Sequence, residues 1–315
     1  MRTKCCSDSL SAIATLWVAA RVLAFSPFPL AAAAFDTAFA LAAAAGIAVP
    51  LLRSRNRRNY FFIALLISLG MANLAFHLGM AGVIDLPLRL GLQAGLDIVL
   101  LIMIVMAGRV IPMFTMNGVP GALCTRLPLI ERLAPASVAV LLAADLFAAP
   151  IAALTPLAVV TPIAAFAAIV NGVRLALWRP WRTLHTPIVW ILHFSYAWIV
   201  LALALRALAL ADLVPASTAT HALTVGAIGG LTLGMMTRTA RGHTGRPLQS
   251  GRAEIFCYIA IQFAAVIRVF VPLVLPSLYS QSIFVSGLLW STAFGIFTVS
   301  YWPILSRPRL DGRPG

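Results

Sequence analysis

The sequence predicts an all-α protein, a polytopic transmembrane helical bundle of about ten spans, and three observations support this prediction. Apolar residues make up 61% of the 315 residues and charged residues only 10%, against about half and about a quarter in a typical soluble domain. The apolar residues form segments of roughly 20 residues, the length at which a helix crosses a bilayer. Basic residues collect in short stretches between these segments. Because lipid cannot satisfy exposed backbone polar groups, we expect each segment to be helical.

Proline, glycine or arginine clusters separate the segments, as helix-interrupting residues do. The first segment follows Arg2 and Lys4 and has no clear small-residue cleavage site, so we expect a retained helix and not a signal peptide. The boundary between the fifth and sixth segments depends on Thr155 and Pro156 alone. We predict one integral membrane domain, residues 1–315, with spans at about 9–27, 30–52, 59–84, 88–114, 136–154, 157–178, 186–211, 217–239, 254–275 and 281–304.

The basic residues predict the orientation of these spans. They concentrate at both termini and in every second loop, which is typical of segments that stay in the cytoplasm. Both termini are therefore predicted to be cytoplasmic. The net charge of +14 is also typical of nucleic-acid binding, but its confinement to short loops favours topology, and we expect no nucleic-acid partner. The cytoplasmic set is Arg2, Lys4, Arg53, Arg55, Arg57, Arg58, Arg126, Arg132, Arg174, Arg179, Arg182, Arg238, Arg241, Arg246, Arg252, Arg307, Arg309 and Arg313.

Ionisable residues inside the spans are costly and mark candidate functional positions. The direction of each span assigns each of these residues a depth, and two layers result. The outer layer comprises Arg21, Asp36, His77, Arg206, His221 and Arg268. The inner layer comprises Arg109, His193 and His243, with Met235 and Met236 nearby.

The residue types in the two layers favour metal chemistry. Two imidazoles at one depth can ligate a haem iron axially, and neighbouring arginines can pair with haem propionates. Histidine together with methionine suits copper, whose reduced form accepts thioether sulfur. The structural alternative stays open, because a buried histidine often serves as a hydrogen-bonded packing residue and methionines in a span often fill gaps.

Two further residues are interpreted from their neighbours. Asn73 lies one helical turn before His77 and shares its face, so it is predicted to orient the imidazole through a hydrogen bond or else to satisfy a neighbouring helix. His185 follows Arg182 at the entrance of the seventh span. We interpret His185 as an interfacial residue and not as a ligand.

The eighth span carries a ridge of small residues, which predicts the close approach of a neighbouring helix. The ridge consists of Ala222, Gly226, Gly230 and Gly234. At 100° per residue the opposite side carries His221, Ile228, Thr232 and Met235, so we expect partners on both faces and a central position. The basic loop 238–246 that follows is predicted to set topology or to bind a phospholipid or a carboxylate.

Six stretches of the sequence together form a specific pattern, although no single one is specific. They are the Arg58-Asn59-Tyr60 start of the third span, Asn73–His77, Gly108–Asn117, Leu192–Trp198, His221–Gly230 and Gly242–Leu248. With these stretches the sequence resembles the NnrS family over nearly the whole chain. The members of this family are bacterial inner-membrane proteins that contain haem and copper and are tied to the nitric oxide response.

The resemblance implies cofactors and site residues, with haem b as the expected cofactor and copper as a further metal. The implied metal ligands are His77, His193, His221 and His243. The implied propionate or anion contacts are Arg109, Arg206 and Arg268, with Asn73 supporting the site. The family usually has about twelve spans, the first two carrying a Trp-His-x-His-Glu-Met-like stretch and an Asn-Trp-Thr-Gly stretch. We therefore expect a shortened member or a misplaced start, with one metal site short of ligands.

The predicted function is a role in the nitric oxide response and in tolerance of nitrosative stress, linked to denitrification, in the bacterial inner membrane. The expected partners are the lipid bilayer, haem and nitric oxide or a related small molecule, and no reaction is assigned. One alternative is a secondary transporter that uses the intramembrane aspartates and arginines. Another is a structural partner of a denitrification complex.

Overall fold

The computed structural model describes residues 2–148 and 156–312 and contains long helices with no strand in those ranges. The predicted all-α fold is confirmed. The long helices are α1 Arg2–Leu23, α2 Pro29–Arg53, α3 Tyr60–Met80, α4 Leu88–Gly118, α5 Pro128–Ala148, α6 Pro156–Leu177, α7 Pro187–Leu210, α8 Ala216–His243, α9 Arg252–Val274 and α10 Tyr279–Leu305.

Eight of these helices are long and apolar enough to cross a membrane, so the protein is a polytopic membrane protein. The other two are α1, whose apolar part Leu10–Leu23 is short, and α5. Membrane crossing by α1 and α5 stays a prediction. Several helices begin with proline, which has no N–H to leave unsatisfied at that position. Gly82, with φ +69°, follows the end of α3 in the left-handed conformation that commonly terminates helices.

The helices extend beyond the apolar segments at several ends. α4 continues to Gly118, α5 already begins at Pro128, and α8 continues to His243. The loop expected at about 115–135 is consequently reduced to residues 119–127. Polar helix ends carry no hydropathy signal, so composition alone underestimates their length. The predicted end of the fifth span at residue 154, and Thr155 at its boundary with the sixth, lie outside the described residues.

Several basic residues assigned to cytoplasmic loops lie in helices instead, among them Arg53 at the end of α2, Arg132 in α5 and three further arginines. Arg174 belongs to α6, and Arg238 and Arg241 belong to the last turns of α8. Arg174 and Arg238 are only 3% and 6% exposed. The loop assignment is therefore wrong for these residues, because charge was taken as a sign of solvent exposure.

The chain forms two compact units. The first consists of α1, α2 and α3, the part of α4 up to Met103, and the end of α5 from Leu141. Within it α2 packs against both α1 and α3. The second unit holds the rest of α4 and α5 together with α6 to α10. Whether the units act as one membrane domain, as predicted, stays open.

In the second unit the glycine ridge of α8 packs against α7. A Cβ at Gly226 would collide with Trp198, one at Gly230 with the Ser195 hydroxyl, and one at Gly234 would lie 2.9 Å from the Leu192 side chain. The pairs run in opposite order along the two helices, so α7 and α8 are antiparallel. The predicted close approach is confirmed, and α7 is the most buried of the candidate spans, followed by α8.

Residues Ala222–Gly229 of α8 form a π-helix and not an α-helix. A π-helix bonds each residue to the fifth one along and so holds more residues per turn. A rotation of 100° per residue therefore does not apply across this segment. We predicted that one side of the helix carries His221, Ile228, Thr232 and Met235. That prediction assumed 100° per residue, and the assumption is wrong for this segment.

Candidate functional site

His77 of α3 lies within hydrogen-bonding distance of a carboxylate from α2. Its Nε2 lies 3.2 Å from Asp36 Oδ2, and Asp36 also forms an ion pair with Arg21 of α1. A carboxylate only accepts hydrogen bonds, so Nε2 carries a hydrogen, and in the neutral imidazole Nδ1 then has the lone pair. Nδ1 is buried and has no hydrogen-bond partner among the residues described. The three predicted outer-layer residues of the first unit therefore form one chain that ends in an unused nitrogen.

Asp36 orients His77, because the imidazole donates its hydrogen bond to that carboxylate. Asn73 acts on the same carboxylate and not on the imidazole, whose Nδ1 has no partner among the residues described. The Phe76 ring contacts the imidazole edge-on, with 5.9 Å between ring centroids. Asn73 therefore supports His77 through Asp36.

The second unit brings together His221 of α8 and Arg268 of α9. The Arg268 guanidinium lies 2.6 Å from His221 Nε2. A guanidinium only donates, so Nε2 is the acceptor and its lone pair is engaged. Arg268 also lies over the Tyr279 ring, 5.6 Å from its centroid. His221 can ligate a metal through Nε2 only when Arg268 moves away.

The π-helix begins directly after His221, and such segments are frequent at functional sites. Its Gly226 packs under Trp198, whose indole donates to Gln262 Oε1 at 2.7 Å. Gln262 in turn donates to Ser195 Oγ at 3.3 Å. These contacts join α7, α8 and α9 beside the π-helix that follows His221. Hydropathy carries no signal for this irregular turn, although the density of glycines gives a weak one.

His193 of α7 is 1% exposed, and both of its ring nitrogens have partners. Nδ1 lies 3.2 Å from the Val189 carbonyl oxygen and Nε2 lies 3.3 Å from Thr115 Oγ1. The Trp178 ring meets the imidazole edge-on. His193 therefore has the environment of a hydrogen-bonded packing residue, which was the structural alternative.

His243, at the end of α8, lines a cavity of about 930 Å³ that His185 also lines. His193 is not among the residues that line this cavity. The two histidines of the predicted inner layer thus have different surroundings. Arg109 in α4 and Arg206 in α7 are both partly buried and engaged in polar contacts.

The donor nitrogen of His77 suits haem ligation. Haem ligation needs one imidazole nitrogen with a free lone pair, and the buried His77 Nδ1 provides it. A protein copper site needs several converging ligands. Within residues 2–148 and 156–312 no group of three or more His, Cys, Asp or Glu residues is placed to hold a metal ion.

Comparison with known proteins gives one match. The family profile described as NnrS protein matches residues 2–309. No curated protein and no solved structure matches the chain.

Proposed function

The chain belongs to the NnrS family, and from this premise we propose that it is a haem b protein of the bacterial inner membrane that acts in the nitric oxide response. Its role would be tolerance of nitrosative stress in cells that denitrify. The family and the membrane helices support the general assignment. The cofactor and the link to denitrification are the finer parts of the proposal.

The observation that carries the cofactor proposal is the Asp36–His77 pair. Histidine ligands of metals commonly donate their second ring nitrogen to a carboxylate, which fixes the tautomer and raises ligand basicity. His77 has this arrangement, with Nε2 on Asp36 and Nδ1 unused. When bound, haem supplies an iron centre that accepts nitric oxide or electrons. The protein's part is to orient the ligand through Asp36 and to balance the carboxylate charge with Arg21.

His221 is a further proposed metal ligand, in the second unit, and Arg268 decides its availability. If Arg268 gives up its hydrogen bond to His221 Nε2, the imidazole lone pair becomes free and the guanidinium can pair with a propionate. Arg109 and Arg206 remain proposed propionate or anion contacts. Copper at His193 and His243 is the less supported part, because both nitrogens of His193 already have partners.

The test is the visible absorbance of the full chain, purified from cells supplied with haem. We expect a Soret band in the wild type that is lost in H77A. The D36N variant should retain His77 but bind haem about 10- to 100-fold more weakly, as loss of a ligand's supporting hydrogen bond does. The matched control is H185A, which changes an exposed histidine and should keep the full band. A colourless wild-type protein, or an unchanged band in H77A, would contradict the proposal.

A secondary transporter is the second candidate, and the Arg21–Asp36–His77 chain is the observation that favours it. Linked ionisable groups inside a membrane bundle are typical of proton relays. A colourless wild-type protein whose reconstituted vesicles show proton flux that D36N abolishes would support this function in place of the first.

A further inference from the structure

The cavity beside His243 is a candidate binding site that the proposed haem ligands His77 and His221 do not use. Its volume of about 930 Å³ lies within the range of small-molecule sites. The end of α4, the start of α7, the end of α8 with its following loop, and the C-terminal segment all line it. These elements belong to the second unit.

Arg238 is the central observation. It lines the cavity, is only 6% exposed, and its Nη1 is buried without a hydrogen-bond partner among the residues described. Its guanidinium lies over the Phe114 ring, 3.7 Å from the centroid. A buried charge is costly unless it is paired. The aromatic face offsets part of that cost and leaves the hydrogen-bonding edge for another group.

Three other arginines of the second unit have carboxylate partners. Arg174 pairs with Glu131, Arg241 with Glu254 and Arg309 with Asp311. Arg238 has only the Phe114 ring on its face. No acidic residue lines the cavity in the described part of the chain. An anion from outside the chain would therefore supply the missing partner.

The other basic side chains that line the cavity come from three chain segments. His185 precedes α7, His243 ends α8, and Arg309, which is already paired with Asp311, lies near the C-terminus. A phosphate has oxygens on all sides and accepts from several directions, whereas a carboxylate offers two coplanar oxygens. Ile188 and Leu248 add apolar walls.

We propose that this cavity binds a phosphate group, with Arg238 as its principal partner. The phosphate belongs either to a membrane phospholipid or to a soluble phosphorylated compound, and both share the chemistry that Arg238 recognises. The apolar walls accommodate the glycerol and acyl part in the first case. The site needs no haem, so it stands independently of the proposed function.

The test uses the detergent-purified, lipid-depleted full chain and follows its thermal unfolding, because a ligand that binds the folded state raises the melting temperature. One arm titrates inorganic phosphate at constant ionic strength, with chloride as the balancing anion. The other arm compares phosphatidic acid with diacylglycerol, which has the same acyl chains and no phosphate. Stabilisation by inorganic phosphate indicates a soluble ligand, and stabilisation by phosphatidic acid alone indicates a lipid.

We expect R238Q to weaken binding in the productive arm by about 10- to 100-fold, as loss of a charge-assisted hydrogen bond does. R307Q is the matched control, because it removes one exposed arginine that does not line the cavity, and it should bind as the wild type does. T239W keeps Arg238 but fills the cavity from an exposed lining position, and it should also lose binding. If R238Q does not fold, the R238K and T239W variants test the phosphate proposal in its place. Absence of phosphate-dependent stabilisation in both arms, or unchanged binding in T239W, would overturn the proposal.

Discussion

Glu131 of α5 forms ion pairs with two arginines that differ in solvent exposure. Arg174 donates to its Oε2 at 2.5 Å and is 3% exposed, whereas Arg126 lies 3.4 Å away with a side chain 48% exposed. Arg174 also donates to the Ile104 carbonyl oxygen and to the Tyr196 hydroxyl. Burial raises the pKa of Glu131, but the hydrogen bond and charge of Arg174 outweigh it and hold that pKa below its usual value of 4.5. The buried arginine thus keeps a full ionic partner.

Removing this carboxylate should therefore be costly. We expect E131Q to destabilise the protein by about 3 kcal/mol, because it leaves the buried Arg174 charge unpaired. R126Q removes the exposed partner of the same carboxylate and should cost less than about 1 kcal/mol. Thermal unfolding of both variants in one detergent measures the difference. Equal melting temperatures would show that Arg174 does not depend on Glu131.

At the scale of elements, α7 and α8 pack closely against each other in the second unit. Glycines at every fourth position let Trp198, Ser195 and Leu192 lie directly on the α8 backbone. The π-helix Ala222–Gly229 lies in the same contact and changes the rotation between His221 and the later turns. The direction in which His221 points is therefore a property of this helix pair.

Substitution in the ridge should separate the helices. A Cβ at Gly230 has no space beside the Ser195 hydroxyl, so G230A is expected to cost about 1–3 kcal/mol, the usual penalty of overpacking. G287A in α10 is the matched control, because nothing lies within 4 Å of its added Cβ. Melting temperatures of the two variants provide the measurement. A G230A protein as stable as G287A would mean that α7 and α8 are less tightly packed than described.

At the scale of the whole molecule, charge and hydropathy together predict the orientation in the membrane. Basic residues that stay on one side of the bilayer predict cytoplasmic termini and an outer position for the loop between α3 and α4. That loop contains Asp85 and no arginine or lysine from Ala81 to Pro87. The two units are each compact, and α4 contributes to both.

Reporter fusions test this orientation. Alkaline phosphatase, which is active only outside the cytoplasm, should be active when inserted after Gly82 and inactive when fused after residue 312. A green fluorescent protein fusion should give the opposite result at the same two sites. Insertion after Arg182 serves as the control, because the charges beside it predict a cytoplasmic loop. An active phosphatase at the C-terminus would reverse the predicted topology.

The amino-acid sequence alone is enough to predict the fold class and the approximate positions of the helices. Long apolar segments form helices in lipid, so each predicted span overlaps a helix, and the described helix ends differ from the predicted ones by up to eight residues. It also identified the residues worth inspecting. His77, His221 and Arg268 were singled out because ionisable groups inside spans are costly.

The contacts that these residues make with one another depend on how the helices pack. The partner of His77 is Asp36, 41 positions away, and the Arg268–His221 hydrogen bond joins two helices. Arg238 looked like a loop charge and is a buried group on a cavity wall. A periodic pattern records which face of a helix is apolar, but hydrogen bonds and cavities depend on which helices are neighbours and how they are rotated. In α8 a π-helix alters that rotation, and no count at 100° per residue contains it.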